Sequence, residues 1–291
     1  MSLISDVEER LVAAMPEWTR LTFSYVRFFA LHALCFAAIW TGVSVRSLLL
    51  FACVYTFQLL SITVGYHRCF SHRAFRTSRV MQFVLAFCSQ TSAQKGVLWW
   101  SAHHRYHHRH SDQKDDIHSP KDGIWWSYVG WVLSESTRGT KLEQVQDLAK
   151  FPELRLLNTF EFTPAMCLAA VCYLIAGWQG VVVGALWGTI LSFHATFANN
   201  CFAHIFGTRR FQTTDTSRNN WFLALITFGE GWHNNHHRHP GSARNGFFWW
   251  EIDVTYYVLW LLDKVGLIWD LRPVPATLLE GYAGQSAEAS E

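Results

Sequence analysis

Ser47-Leu-Leu-Leu-Phe-Ala-Cys-Val-Tyr-Thr-Phe-Gln-Leu-Leu-Ser-Ile-Thr-Val-Gly65 is an apolar run that does not stop where a membrane would stop it. It goes straight on into Tyr66-His67-Arg-Cys-Phe-Ser-His72. A helix of ~20 apolar residues spans a bilayer core, so the reading is a membrane helix that carries histidines past the membrane edge. Upstream, residues 21 to about 43 form another apolar run, with Arg27 near one end and His32 inside it. Only 44–46 separates the two, which predicts a helical hairpin. A second pair follows, 162–177 and 179 to about 198, split by Gly177-Trp-Gln-Gly180. Again the later run overshoots, into Asn199-Asn200-Cys-Phe-Ala-His204. Asn200 and His204 are four apart and share a helix face.

Two further blocks bring histidines to the same side. Ala102-His103-His104-Arg-Tyr-His107-His108-Arg-His110 and Gly229-Glu-Gly-Trp-His233-Asn-Asn-His236-His237 both contain histidines at offsets 0, +3 and +4. Residues three and four apart are helix neighbours, so each triple is expected to aim at one point and form a metal site. His67 and His72 are five apart, about 140° of α-helical rotation. From a regular helix they cannot face one ion: they serve different metals, or the helix ends between them.

Composition agrees with a membrane protein. Of 291 residues only 16% are charged and 50% are hydrophobic, against roughly 25% charged in soluble domains; the mean hydropathy of +0.08 leaves a polar part outside the lipid. A net charge of +2 gives no case for nucleic-acid binding. The seven cysteines are scattered with no CxxC pair, as expected of buried free thiols in a reducing compartment. The first twenty residues are polar and acidic, unlike a cleavable leader. The short turns carry no positive charge except Arg46, so the positive-inside rule puts the termini and the histidines on the cytoplasmic side. The fold expected is all-α: four transmembrane helices in two hairpins, with a cytoplasmic helical cap holding a di-metal site. It is read as one integral-membrane domain over 1–291, with a polar segment at 1–20 and a disordered tail at 282–291.

The candidate ligands are His67, His72, His104, His107, His108, His204, His233, His236 and His237, with Asn200 a tenth position. Nine imidazoles exceed the needs of one ion and suit two. An all-imidazole set suits Zn, Cu, Fe or Ni. A structural zinc would usually include Cys, and there is no HExxH helix. Two irons match a greasy setting where unactivated C–H bonds must be broken. Glu230, Asp112, Asp115 and Asp116 are candidates to orient ligand imidazoles, with a solvated acidic loop an equal reading of the Asp group. His32 and His194 read as hydrogen-bonded packing within the spans.

The blocks His67-Arg-Cys-Phe-Ser-His72, His104-Arg-Tyr-His107-His108 and His233-Asn-Asn-His236-His237 resemble the three histidine boxes of the membrane fatty acyl desaturases, the stearoyl-CoA desaturase family. The Asn200…His204 pair resembles that family's additional Asn/His site, and the likeness runs from about Leu48 to about Trp269. The resemblance implies two iron ions, O2 as co-substrate, a fatty acyl-CoA or other acyl carrier substrate, and a cis double bond as product. It implies that Asn200 acts through a water. It also implies external electrons. His239-Pro240-Gly241 is similar to a motif of b-type cytochromes, but only about fifty residues follow, so the donor is expected to be a separate ferredoxin, rubredoxin or b-type cytochrome with its reductase. Rival expectations are a hydroxylase or oxidative decarboxylase on the same scaffold, and a non-catalytic membrane metal- or haem-binding protein.

Overall fold

The computed structural model describes residues 17–280. Residues 1–16 of the polar segment and the tail at 282–291 lie outside the described residues. Helix α1 (Glu17–Leu34) continues through a tight turn at Cys35–Ala37 to Thr41. Gly42 adopts φ 77° and breaks it, and Ser44 caps α2 (Val45–Ser61) with a reciprocal Ser44–Ser47 capping box. The first hairpin is therefore specified by Gly42 and two serines.

Ile62–Ser71 continues α2 as a π-helix, with the His72 amide donating to the His67 carbonyl at 3.1 Å. Then come strand β1 (Arg76–Thr77), α3 (Arg79–Gln90), α4 (Val97–His110) and α5 (Pro152–Thr159). Helix α6 (Thr163–Gln179) runs through a π-helical stretch at Gly180–Leu186 into α7 (Trp187–Phe202). Short helices α8 (Trp221–Ile226) and α9 (His233–Arg238), helix α10 (Val254–Lys264) and strand β2 (Ile268–Trp269) complete the described chain. The two strands pair antiparallel, Arg76 opposite Trp269.

Among the described residues, three helical runs are long and apolar enough to cross a membrane: Ser24–Thr41, Val45–Ser71 and Thr163–Phe202. The third is 40 residues long and covers both of the later runs expected as separate spans. It is not straight: Ala176 and Gly177 leave helical values, with Gly177 at φ 56°, a conformation that costs glycine nothing. Outward faces of these runs are bare and apolar, Trp40 and Leu174 being more than four-fifths exposed, as surfaces that lipid covers are. Inside, Gly188 lets α7 approach α2 so closely that a Cβ there would sit 2.7 Å from Val54 Cγ1. Of the seven cysteines only Cys172 and Cys201 are buried, while Cys53 and Cys167 are exposed. The expectation of buried thiols fails because apolar helices facing lipid have no protein over them.

The main core packs the π-helix (Ile62, Tyr66, Phe70) against α3, α4, α5 and α10. Helices α3 and α4 are joined by a turn with Ala93 at φ 54° and Lys95 at φ 72°.

Candidate metal centre

The π-helix overturns the expectation that His67 and His72 face apart. Its hydrogen bonds run i→i+5, so residues five apart stack as residues four apart do in an α-helix. The two rings lie 4.8 Å apart. They join His104, His108 and His236 in one group whose ring nitrogens are all within 4.8 Å of one another.

A second group holds His107, His204 and His237, and His233 Nε2 lies 3.1 Å from His204 Nε2 and 3.0 Å from His237 Nε2. The groups are adjacent, with the His108 and His237 rings 4.4 Å apart. Each 0, +3, +4 triple is thus divided and does not converge on one point as expected. At 100° per residue, offsets 0 and +4 differ by about 40°, whereas +3 and +4 differ by about 100°. So His104 and His108 go to the first group and His107 to the second. On α9 the assignment reverses: His233 and His237 serve the second, His236 the first. Asn200 lies in neither group and lines the adjoining cavities beside His104 and His233.

Carboxylates set the protons. His107 Nδ1 is 2.8 Å from Asp116 Oδ1, His204 Nδ1 2.9 Å from Asp112 Oδ2, His237 Nδ1 2.8 Å from Asp215 Oδ2, and His67 Nδ1 2.5 Å from Glu230 Oε2. An ionised carboxylate only accepts, so the proton sits on each Nδ1 and leaves Nε2 a bare lone pair. Burial alone would raise the Asp112 and Asp215 carboxyls, but hydrogen bonds from His204 and His237 hold both far below the usual range. Asp116 is likewise held down, against burial, by His107, and Glu230 by His67 and Arg68. In His72, His104, His108, His233 and His236, burial first and neighbouring imidazoles second push the ring pKa well below 6.5. His237 is lowered to about 4, chiefly by burial.

Neutral imidazoles with lone pairs turned together are a metal-binding donor set. Nε2···Nε2 separations run 3.0 Å for His67–His236, 2.8 Å for His72–His104, and 3.0 Å for both His104–His108 and His108–His236. Hydrogen bonds cannot satisfy this chain, because each middle nitrogen touches two others and carries either one proton or one lone pair. Donors about 2.1 Å from a shared ion and at right angles would be about 3.0 Å apart. The residues present therefore fit two metal ions.

The remainder of each block is structural. Arg105 donates to the carbonyls of Phe70 and Ser71 and pairs with Asp147 at 2.7 Å, clamping α4 to the end of the π-helix. Arg68, fully buried, bridges Glu230 and Asp253 at 3.0 and 2.9 Å. Asn234 accepts from the Arg210 and Phe211 amides, and Asn235 donates to Glu251 and the Asn245 carbonyl. The block thus points histidines one way and anchors its six-residue helix the other. Asp112 is held at φ 58°, and its carboxylate also accepts from Thr216 and Ser119; such strain persists where surroundings over-determine it.

Asp112, Asp116 and Glu230 are thus imidazole partners, while Asp115 is exposed. Asp215 escaped the sequence reading, since a single Asp in Thr213-Thr-Asp-Thr-Ser217 has no spacing that ties it to His237. His103 bonds the Trp99 carbonyl instead of joining a group. His32 Nε2 meets His194 Nε2 at 3.0 Å, and Tyr128 bonds His194, a packing network within the spans.

A cavity of about 170 Å³ opens beside the first group, lined by Phe28, Leu31, Phe193 and Phe197 and by His104. A smaller one of about 40 Å³ shares Trp100, His104, Thr196 and Asn200 with it and reaches His67 and His233. The smaller cavity thus borders both histidine groups, through His67 and His104 of the first and His233 of the second.

The family model for fatty acid desaturases matches residues 43–253. The chain is 39% identical over 218 residues to icosanoyl-CoA 5-desaturase of Limnanthes douglasii, covering 74% of this chain and 61% of that protein. It is 36% identical to delta-9 acyl-lipid desaturase 2 of Arabidopsis thaliana, covering 88% and 84% of the two chains. It is 36% identical to sn-1 stearoyl-lipid 9-desaturase of Anabaena variabilis, covering 73% and 79%. The chain belongs to the fatty acid desaturase family.

Proposed function

We propose that this protein is an O2-dependent oxidoreductase that places a cis double bond in a fatty acyl chain. The observation that carries this is the pair of adjacent imidazole groups, lone pairs inward, bordering an apolar cavity. Family membership and relatives named as acyl-CoA and acyl-lipid desaturases support it. His67, His72, His104, His108 and His236 would hold one iron, and His107, His204, His233 and His237 the other, with Asn200 near the second through a water. Two iron ions so held would supply the oxidant drawn from O2 that an aliphatic C–H bond requires.

The balance is –CH2–CH2– plus O2, two electrons and two protons, giving –CH=CH– and two waters. The electrons come from a separate donor protein, a ferredoxin, rubredoxin or b-type cytochrome. The chain's own residues orient and exclude. Asp112, Asp116, Asp215 and Glu230 fix the tautomers of their imidazoles. Phe and Trp side chains keep water from the acyl chain, and Trp100 and Thr196, shared by both cavities, determine which carbons lie beside the histidines. In the membrane the 40-residue run folds back at Gly177, giving four crossings with the histidines on the cytoplasmic side.

The test is expression in a host lacking the activity. Purified chain is expected to carry about two irons, and host lipids to gain one cis double bond at a defined position. His236→Ala should abolish the double bond and lower the iron content to about one per chain. An alcohol or shortened alkene would replace this reading with hydroxylation or decarboxylation, and a haem absorption band or one zinc would replace it with a binding protein.

A further inference from the structure

One corner of the cavity wall lies outside the two imidazole groups. Three of its side chains carry a ring nitrogen that is buried and without a hydrogen-bond partner: His103 Nε2, His118 Nδ1 and Trp131 Nε1. The residues are 1%, 4% and 6% exposed. They form one corner: the Trp131 ring lies 4.9 Å from His118 and 6.5 Å from His103, and Trp99 stacks on both Trp131 and His103, at 5.8 and 4.2 Å. A buried polar group left unpaired is costly, and three lining one cavity point to a bound partner.

Their chemistry narrows what that partner is. The indole N–H of Trp131 can only donate. His103 Nδ1 is 2.9 Å from the Trp99 carbonyl, which can only accept, so the proton is on Nδ1 and Nε2 is an acceptor. The far wall of the cavity, Phe28, Leu31, Phe193 and Phe197, is apolar. A ligand with a long hydrocarbon tail and one strong acceptor at its head matches the apolar wall and the Trp131 N–H, which describes an ester or thioester of a fatty acid.

We infer that Trp131 anchors the carbonyl of the acyl substrate through its Nε1–H, and so sets how many carbons lie between the carbonyl and the histidine groups. This rests on the desaturase reading. The corner is built on the same parts as the site: His103 directly precedes His104 on α4, and the His118 ring stacks on His107 at 4.0 Å. Anchor and histidines therefore keep a constant separation, which is what a position-specific reaction needs. Trp131 is a positioning residue here.

The test uses the full chain in nanodiscs and begins with binding. Stearoyl-CoA is compared with octadecyl-CoA thioether, which lacks the carbonyl. Distearoyl phosphatidylcholine is compared with its diether. In the arm whose carrier the protein accepts, the carbonyl compound should bind about five- to tenfold tighter, the effect of one neutral hydrogen bond. Trp131→Phe, which keeps the ring stack, should erase that preference. In turnover it should raise KM more than it lowers kcat, and it should spread the double bond over neighbouring positions at unchanged iron content. The inference is overturned if neither carbonyl compound outbinds its ether in the wild type, or if Trp131→Phe keeps both the preference and a single bond position. The desaturase reading fails separately, if wild-type chain binds acyl ester but forms no double bond.

Discussion

At the scale of single residues, the site depends on carboxylates as much as on imidazoles. Asp215 touches no proposed ion, yet its bond to His237 decides which nitrogen of that ring is bare. Losing such a partner typically costs 10–100-fold in metal affinity. Asp215→Asn is therefore expected to weaken retention of one ion, read as faster loss to a chelator, while the helical circular-dichroism spectrum stays unchanged. Asn235 makes a different prediction. Its amide bonds Glu251 and the Asn245 carbonyl, and its carbonyl accepts from Asn219 at 2.7 Å, all buried. Asn235→Ala leaves the Asn219 side-chain amide and the Asn245 carbonyl unpaired and should cost about 1–3 kcal/mol, seen as a lower midpoint in thermal or denaturant unfolding. At this scale the histidines were legible because imidazoles are rare and clustered, and Glu230 and Asp112 because they stand beside them. Asp215 was not, since its nearness to His237 is created only by the fold.

At the scale of elements, the decisive part is the π-helical Ile62–Ser71. Spacing of five contradicts an α-helical site, and the chain resolves the conflict by changing helix type. Sequence spacing showed the conflict but not its resolution, because hydrophobic patterns do not distinguish i→i+4 from i→i+5 bonding over one turn. An alanine inserted between Arg68 and Cys69 makes the spacing six, which neither helix type brings together. Iron content is expected to fall from about two to about one per chain, measured by plasma emission spectroscopy. The same geometry explains the divided triples on α4 and α9, where a helix face 100° wide reaches past one ion to the next. Offsets 0, +3 and +4 were read correctly as one face, and that face proved broad enough for two sites.

At the scale of the whole molecule, membrane character and the helical class were plain from apolar runs of spanning length, and the described chain shows three such runs. Whether Thr163–Phe202 crosses once or returns depends on the backbone at Ala176 and Gly177, which composition reports only as a glycine among apolar residues. The buried imidazoles also make stability depend on pH. In His72, His104, His108, His233 and His236 the folded pKa is depressed below 6.5, so below about pH 6.5 the unfolded chain binds protons that the folded chain refuses. Stability must then fall as pH falls, by up to about 1.4 kcal/mol per pH unit for each imidazole. Asp112, Asp116 and Asp215, with depressed carboxyl pKa values, lose their contribution in the same direction below about pH 4. Metal-stripped protein is expected to melt at progressively lower temperature between pH 7 and pH 5; a flat profile would contradict the neutral, buried state of these rings.

The four carboxylates bonded to imidazoles have one more consequence. Arg68 and Asp253 cancel each other, so Asp112, Asp116, Asp215 and Glu230 leave the centre with four negative charges in a nearly dry interior. A pair of dications is the load that brings it to electroneutrality. Emptied, the centre is an anionic hole that attracts any divalent ion able to accept nitrogen donors. Selection of the right ion therefore falls to supply in the cell more than to the charge of the hole.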